Sequence, residues 1–166
     1  MIALKNILVA TDFSEPADAA LTYGRTLARS FDATLHVLHV TQDIYLQAFG
    51  SEAYVAPVPD LQRDIDDAAR KHLDELLIDS DASGPATRKV LRTSNSPARS
   101  IVEYAREESV DLIVMGTQGR GGVAHLLMGS VAERVVRTAP CPVLTVRHPE
   151  HEFVVPDTLA PVKRAS

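Results

Sequence analysis

A glycine-rich stretch over residues 116–130 is the part of the sequence whose residue types point most directly to chemistry. It reads GTQGRGGVAHLLMGS, follows the apolar run VDLIVM, and ends where a helical pattern begins. Glycine costs regular structure up to about 1 kcal/mol relative to alanine, but it lets the backbone approach a ligand closely. Successive N–H groups can form an anion-binding concavity, and a helix N-terminus adds partial positive charge. The stretch therefore predicts a phosphate site.

The candidate phosphate residues are the glycines, one cation and the start of the helix. They are Gly116, Gly119, Arg120, Gly121, Gly122, Gly129 and Ser130. The pattern GxxxxGK[ST] is absent, and the dinucleotide pattern GxGxxG does not follow the first apolar run. The predicted phosphate site is therefore neither a P-loop nor a dinucleotide-binding turn. For Arg120, a solvated loop position is the equal alternative to phosphate pairing.

Short apolar runs that alternate with helical patterns must position this site. The predicted strands are NILVAT (6–11), ATLHVLHV (33–40), TRKVLRT (87–93), VDLIVMG (110–116) and the VLTV end of APCPVLTV. Four helices are predicted. The first begins after Ser14 with Pro16 in its first turn, the third begins after Ser96 with Pro97, and the fourth begins at a Ser130/Glu133 capping box. The second covers 60–80, and its inward residues are Leu61, Ile65, Ala68, Leu73, Leu76 and Leu77. Residues 41–59 show no period and are predicted to be a loop, either a variable surface connection or a flap.

The alternation predicts an α/β three-layer sandwich with a five-stranded parallel sheet. The first and fourth strands are nearly all apolar and belong in the centre, whereas the third is charged and the fifth follows prolines. The strand order 3-2-1-4-5 satisfies this and makes a doubly wound fold. Ligands bind such sheets at the point where the strand order reverses. There the loop over residues 10–14 meets the glycine-rich stretch, and Asp12 offers a carboxylate for a ligand or for capping the first helix.

Bulk properties limit the class of protein. The chain has 166 residues, 45% of them hydrophobic, and a formal net charge of −5. An acidic chain is a poor general binder of nucleic acid, and no apolar run is long enough for a membrane span. The sequence predicts one domain over 1–148, a loosely ordered tail over 149–166, and a cytoplasmic location. The lone Cys141 is interpreted as a structural thiol.

Four segments resemble the universal stress protein family over roughly residues 3–148. They are the opening ILVATDFSEPADAAL, the ATLHVLHV strand, the ending TAPCPVLTV, and a glycine motif. In the family this motif is Gly, two residues, Gly, nine residues, then Gly with Ser or Thr. The chain matches it at Gly116, Gly119, Gly129 and Ser130 without a gap.

Family members with this motif typically bind ATP, so the resemblance implies an ATP site with Mg²⁺ or Mn²⁺ held through the phosphates. Backbone groups at strand ends would contact the nucleoside, and loop amides the phosphates. The implied binding residues are Ala10, Thr11, Asp12, Val40, Met115, Gly116, Thr117, Gly119, Arg120, Gly121, Gly122, Gly129, Ser130 and Val131. The implied partner is a second copy of the chain, paired through the fifth strand at Val143, Leu144, Thr145 and Val146.

Several functions remain open at this stage. The leading one is a nucleotide-dependent regulatory module without catalytic residues, and the others are a slow ATPase or nucleotidyl transferase, and a sensor of another adenine nucleotide. No metal site is predicted: His36 and His39 lie three apart on a strand and so face opposite sides. His125 lies inside the glycine-rich stretch, where a solvent-facing position is favoured over phosphate contact.

Overall fold

A computed structural model describes residues 1–45, 60–77, 84–119 and 128–147. Five strands and four helices alternate over these residues. They are β1 (Asn6–Ala10), α1 (Glu15–Phe31), β2 (Thr34–Thr41), α2 (Leu61–Leu76), β3 (Thr87–Thr93), α3 (Pro97–Glu107), β4 (Leu112–Gly116), α4 (Ser130–Thr138) and β5 (Val143–Val146).

The strands form one parallel sheet in the order β3-β2-β1-β4-β5. This confirms the predicted α/β architecture and strand order. At the carboxyl end of the sheet, Ala10 is in register with Leu38 on one side and with Met115 on the other. The crossovers leave β1 and β4 toward opposite faces, so a crevice opens between these two strand ends.

Each face of the sheet has its own apolar core, because side chains alternate along a strand. On one face, Val9 and Leu35 pack against α1 and α2. On the other, Leu8 and Ile113 pack against α3 and α4. Helix α1 lies so close to the sheet that a Cβ atom on Gly24 would be 2.3 Å from Val9 Cγ2. Both faces of the sheet are therefore covered, and the strand ends are left to bind ligands.

Helix α2 differs from its prediction in its buried face. Leu61 and Ala68 are exposed, and Ala69 is buried instead of Ala68. The inward stripe runs through Ile65, Ala69 and Leu73, which is the i, i+4 spacing of a single face. Asp60, in a left-handed conformation with φ of 68°, precedes the first helical residue. That start leaves Leu61 at the exposed first position.

Some predictions lie outside the described residues. They concern residues 46–59 of the predicted loop, the end of the second predicted helix after Leu77, and the tail from residue 149. Within the part of the chain that the structure describes, none of the helices has the length and apolar character needed to cross a membrane.

Candidate functional site

A cavity of about 500 Å³ lies beyond the carboxyl ends of β1 and β4. Pockets for small ligands commonly have this size. Its described lining residues come from β1, β2, β4, α3, α4 and the loops that follow β1 and β4. They are Ala10, Thr11, Asp12, Leu38, His39, Val40, Pro97, Ile101, Met115, Gly116, Thr117, Gln118, Gly119, Gly129, Ser130, Val131 and Ala132.

Most of the binding residues predicted from the sequence line this cavity together. The described ones are Ala10, Thr11, Asp12, Val40, Met115, Gly116, Thr117, Gly119, Gly129, Ser130 and Val131. Arg120, Gly121 and Gly122, as well as His125, lie outside the described residues. The two segments that were predicted to meet, the end of β1 and the glycine-rich stretch, are therefore adjacent.

The turn after β1 is held by its own polar side chains. The Phe13 amide donates to Thr11 Oγ1 at 3.0 Å, and both the amide and the hydroxyl of Ser14 donate to Asp12 Oδ1, at 3.2 and 2.5 Å. Ser14 is the N-cap residue of α1, but its side chain bonds Asp12 and makes no cap bond to the helix. Phe13 has a φ of 61°, a conformation that costs a residue with a side chain about 1–2 kcal/mol.

The Asp12 carboxylate reaches across the crevice to the glycine-rich stretch. A Cβ atom on Gly119 would lie only 2.6 Å from Asp12 Oδ2. The missing side chain of Gly119 thus makes room for this carboxylate. The contact joins the loop after β1 to the loop after β4 at the mouth of the cavity.

Gly116 is needed for packing on its other side. A Cβ atom there would lie 2.9 Å from the Cβ of Pro16 and 3.0 Å from its backbone carbon and oxygen. Gly116 lines the cavity as predicted, but the space of its missing side chain is filled by the first turn of α1. Its lack of a side chain is explained by the helix and not by a ligand.

The start of α4 forms the opposite wall. Gly129 is its N-cap, and the Gly129 amide donates to the Thr117 carbonyl at 2.7 Å. The predicted Ser130/Glu133 capping box is wrong, because the N-cap residue is Gly129 and Ser130 is already the first helical residue. The first-turn amides of a helix have no intrahelical partners, so those of Ser130 and Val131 can serve an anion. The amide of Gly129 is already used.

An apolar wall, which the sequence analysis did not assign to the site, completes the cavity. Leu38 from β2, Ile101 from α3 and Ala132 from α4 are all buried and line it. Pro97 and Ile101 are four residues apart on α3, so helical periodicity could have identified them. Such a wall suits a flat apolar ligand group next to the polar loops.

Burial shifts the pKa of three groups that do not line the cavity. It raises the pKa of the Asp18 carboxyl on α1, and the negative charges of Asp12 and Glu15 raise it further. On β2, burial lowers the pKa of His36, with help from the Arg88 charge. Burial raises the pKa of Cys141, which keeps this thiol protonated and agrees with a structural role.

The described residues offer little to a metal ion. No three His, Cys, Asp or Glu side chains among them lie close enough to share one. Asp12 is the only carboxylate among the described lining residues. A divalent cation here would fit only if a bound phosphate supplied most of its oxygen ligands.

The two histidines of β2 face opposite sides, as predicted. His36 is 1% exposed, and its Nδ1 lies 2.7 Å from the Tyr104 hydroxyl of α3. His39 instead contacts Phe13 on the α1 side, with ring centroids 4.3 Å apart.

Comparison with known proteins assigns the family. The sequence model of the universal stress protein family matches residues 3–147. The chain belongs to the universal stress protein family. It is 32% identical over 148 residues to a universal stress protein of Methanocaldococcus jannaschii, which covers 89% of this chain and 85% of that relative.

Solved universal stress proteins share the fold. The UspA protein of Lactobacillus plantarum is 29% identical, with a TM-score of 0.68, covering 89% of this chain and all of that one. A universal stress protein solved in complex with cAMP is 25% identical, with a TM-score of 0.62, covering 87% of this chain and 98% of that one. The five-stranded sheet is thus the fold of this family.

Proposed function

We propose that this universal stress protein binds ATP in the cavity beyond β1 and β4 and acts as a nucleotide-dependent regulatory module. The observation that carries the proposal is the cavity itself, which combines an apolar wall with the exposed first turn of α4. The wall suits a purine base, and helix amides suit phosphate. The family motif Gly116-x2-Gly119-x9-Gly129-Ser130 supports ATP as the nucleotide.

In this proposal the nucleoside lies against Ala10, Val40 and Met115, and the phosphates lie near Ser130 and Val131. Arg120, Gly121 and Gly122 belong to the proposed phosphate site through the motif alone. Mg²⁺ or Mn²⁺ would accompany the phosphates and neutralise part of their charge. Among the described lining residues, Asp12 is the carboxylate that such an ion or a ribose hydroxyl would meet.

Regulation is favoured over catalysis by the state of Asp12. It is the only carboxylate among the described lining residues, and its Oδ1 accepts two hydrogen bonds from Ser14. That oxygen is therefore engaged within the turn and holds the start of α1. We favour a function in which binding orders the loops and so changes the surface offered to a partner.

The substitution Ser130→Asp tests the phosphate assignment. An aspartate at the first position of α4 stabilises the helix by about 0.3–1 kcal/mol through the helix dipole. The same charge beside a phosphate should weaken ATP binding about tenfold or more, since each 1.4 kcal/mol is tenfold. We expect calorimetric titration with ATP and Mg²⁺ to show this loss, together with an unchanged or higher melting temperature.

Ser130→Ala is the matched control and should bind ATP nearly as well as the wild type, because the backbone amide is retained. Adenosine, which has no phosphate, should bind Ser130→Asp and the wild type alike. Equal ATP affinity in Ser130→Asp and the wild type, or no binding of millimolar ATP by the wild type, would contradict the proposal.

A second candidate is a sensor of an adenine mononucleotide. The relative solved with cAMP favours it, since that protein shares the fold at 25% identity. Titrations with AMP and cAMP beside ATP separate the two. If the terminal phosphates add no affinity, the mononucleotide is the ligand.

We also propose that the protein acts in the cytoplasm as a homodimer joined through β5. This strand ends the sheet, and Leu144 is 37% exposed on it. An apolar edge strand is usually covered, and pairing across a two-fold axis covers it.

A further inference from the structure

His39 on β2 contacts the turn that carries Asp12. Its Nδ1 lies 2.8 Å from the carbonyl oxygen of Thr11. A carbonyl oxygen only accepts, so Nδ1 must carry the proton of this hydrogen bond. The contact therefore fixes the ring as well as the Thr11 peptide.

The same ring also contacts Phe13, two residues further along the turn. The Phe13 ring lies against it at 4.3 Å and a tilt of 36°. Phe13 has the left-handed backbone conformation that side chains disfavour, so neighbouring contacts must maintain it. In the sequence, Asp12 lies between Thr11, whose carbonyl accepts from His39, and Phe13, whose ring contacts the imidazole.

The direction of Asp12 depends on this turn. Its Oδ1 is fixed by Ser14, and its Oδ2 lies beside Gly119 across the crevice. If Phe13 relaxed to an ordinary conformation, the chain between Thr11 and Ser14 would turn differently and the carboxylate would leave the mouth of the cavity.

We propose that His39 is a positioning residue of the nucleotide site, which holds the Thr11–Ser14 turn so that the Asp12 carboxylate stays beside Gly119. The inference rests on the proposed function for its ligand. His39 also lines the cavity, but the role assigned to it is to hold the turn and not to bind the nucleotide.

Two substitutions separate the hydrogen bond from the ring. His39→Phe keeps an aromatic ring against Phe13 but removes the donor to Thr11. His39→Asn keeps a donor near the position of Nδ1 and removes the ring. We expect His39→Phe to weaken ATP binding about fivefold to tenfold, as the loss of one hydrogen bond would. His39→Asn should lie within about threefold of the wild type.

The control is His72→Leu. His72 is an exposed residue of α2 whose ring lies 5.2 Å from that of Phe13. It should change ATP affinity less than about twofold, because exposed substitutions rarely have larger effects.

A double-mutant cycle tests whether His39 acts through Asp12. In the Asp12→Ala background, His39→Phe should cost less than about twofold in ATP affinity, since coupled residues are not additive. An equal cost in both backgrounds means a general structural effect and overturns the proposal. Unchanged affinity of His39→Phe in the wild-type background overturns it as well.

Hydrogen exchange of the ligand-free protein gives a result that does not depend on ATP. The Ser14 amide donates to Asp12 Oδ1, so its protection reports on the carboxylate. It should exchange faster in His39→Phe than in His39→Asn and the wild type. Equal protection in all three overturns the positioning role, whereas absent ATP binding by the wild type with the expected exchange pattern contradicts only the proposed function.

Discussion

Gly116 and Gly119 are three residues apart at the end of β4, and each leaves room for a different neighbour. At Gly116 the neighbour is the backbone of Pro16, at 3.0 Å from an added Cβ atom. At Gly119 it is the end of the Asp12 side chain, at 2.6 Å. A side chain can rotate away, whereas the backbone of a packed helix cannot easily move.

Alanine should therefore affect stability at Gly116 and ATP binding at Gly119. Gly116→Ala should lower the free energy of unfolding by about 1–3 kcal/mol, the usual cost of overpacking. Gly119→Ala should change it by less than about 1 kcal/mol and should weaken ATP binding by displacing Asp12. Urea denaturation and calorimetric titration measure the two effects, and each variant is the control for the other. A stable Gly116→Ala protein would show that α1 adjusts to the added methyl group.

At the scale of whole elements, β2 and α3 meet at a buried histidine, His36. His36 Nδ1 lies 2.7 Å from the Tyr104 hydroxyl, and Nε2 lies 3.4 Å from Asn6 Oδ1. The side-chain nitrogen Nδ2 of Asn6 donates to the carbonyls of Glu108 and Ser109. The side-chain oxygen Oδ1 therefore accepts from His36. Nε2 therefore carries a proton, and in the neutral ring Nδ1 accepts from the Tyr104 hydroxyl.

This arrangement makes stability depend on pH. Burial lowers the pKa of His36 in the folded protein, and Arg88 lowers it further, whereas Glu108 opposes both. The unfolded chain then binds more protons than the folded one below about pH 6.5. The contribution of His36 is complete above that pH and is lost as the pH falls toward its lowered folded pKa.

Urea denaturation at about pH 7.5, 6.5 and 5.5 checks this dependence. We expect the wild type to lose stability over this range and His36→Gln, which keeps a polar group without titrating near neutral pH, to lose less. The difference between the two proteins isolates His36 from the other histidines. Parallel pH profiles would mean that the folded protein admits the charged ring.

The sequence was sufficient to predict the strands and helices whose local residue pattern agrees with their place in the fold. The apolar content of β1 and β4 and the charges of β3 were enough for the strand order, and Ser96 with Pro97 marked the start of α3. The cap of α4 was missed because Ser130 looks like a cap, yet Gly129 has the extended conformation that the turn from Thr117 requires. The left-handed Phe13 and the contact of His39 with Thr11 depend on tertiary packing, which no local pattern reports.

At the scale of the whole molecule, the two edges of the sheet differ in charge. On β3, Arg88 pairs with Glu108, Lys89 with Asp74, and Arg92 with Glu107. Such charges hinder pairing with another strand. Strand β5 has the sequence VLTV, with Leu144 exposed on it and Val136 exposed on the neighbouring α4.

Leu144→Lys should therefore convert the proposed dimer into a monomer at micromolar concentration, because it places a charge on the edge that must be paired. Light scattering coupled to gel filtration measures the mass. Lys89→Ala, on the opposite edge, is the matched control and should leave the mass unchanged. A wild-type protein that already has the monomer mass would contradict the dimer.

The Gly129 amide donates to the Thr117 carbonyl at 2.7 Å, and this hydrogen bond joins the two ends of the segment between β4 and α4. The entropy of closing a loop rises only slowly with its length once the ends are held together. An insertion between these two residues would thus cost the folded state little, although it would break the glycine spacing on which the proposed phosphate site depends. Such a variant would keep the sheet and lose the nucleotide, and so would separate stability from ligand binding.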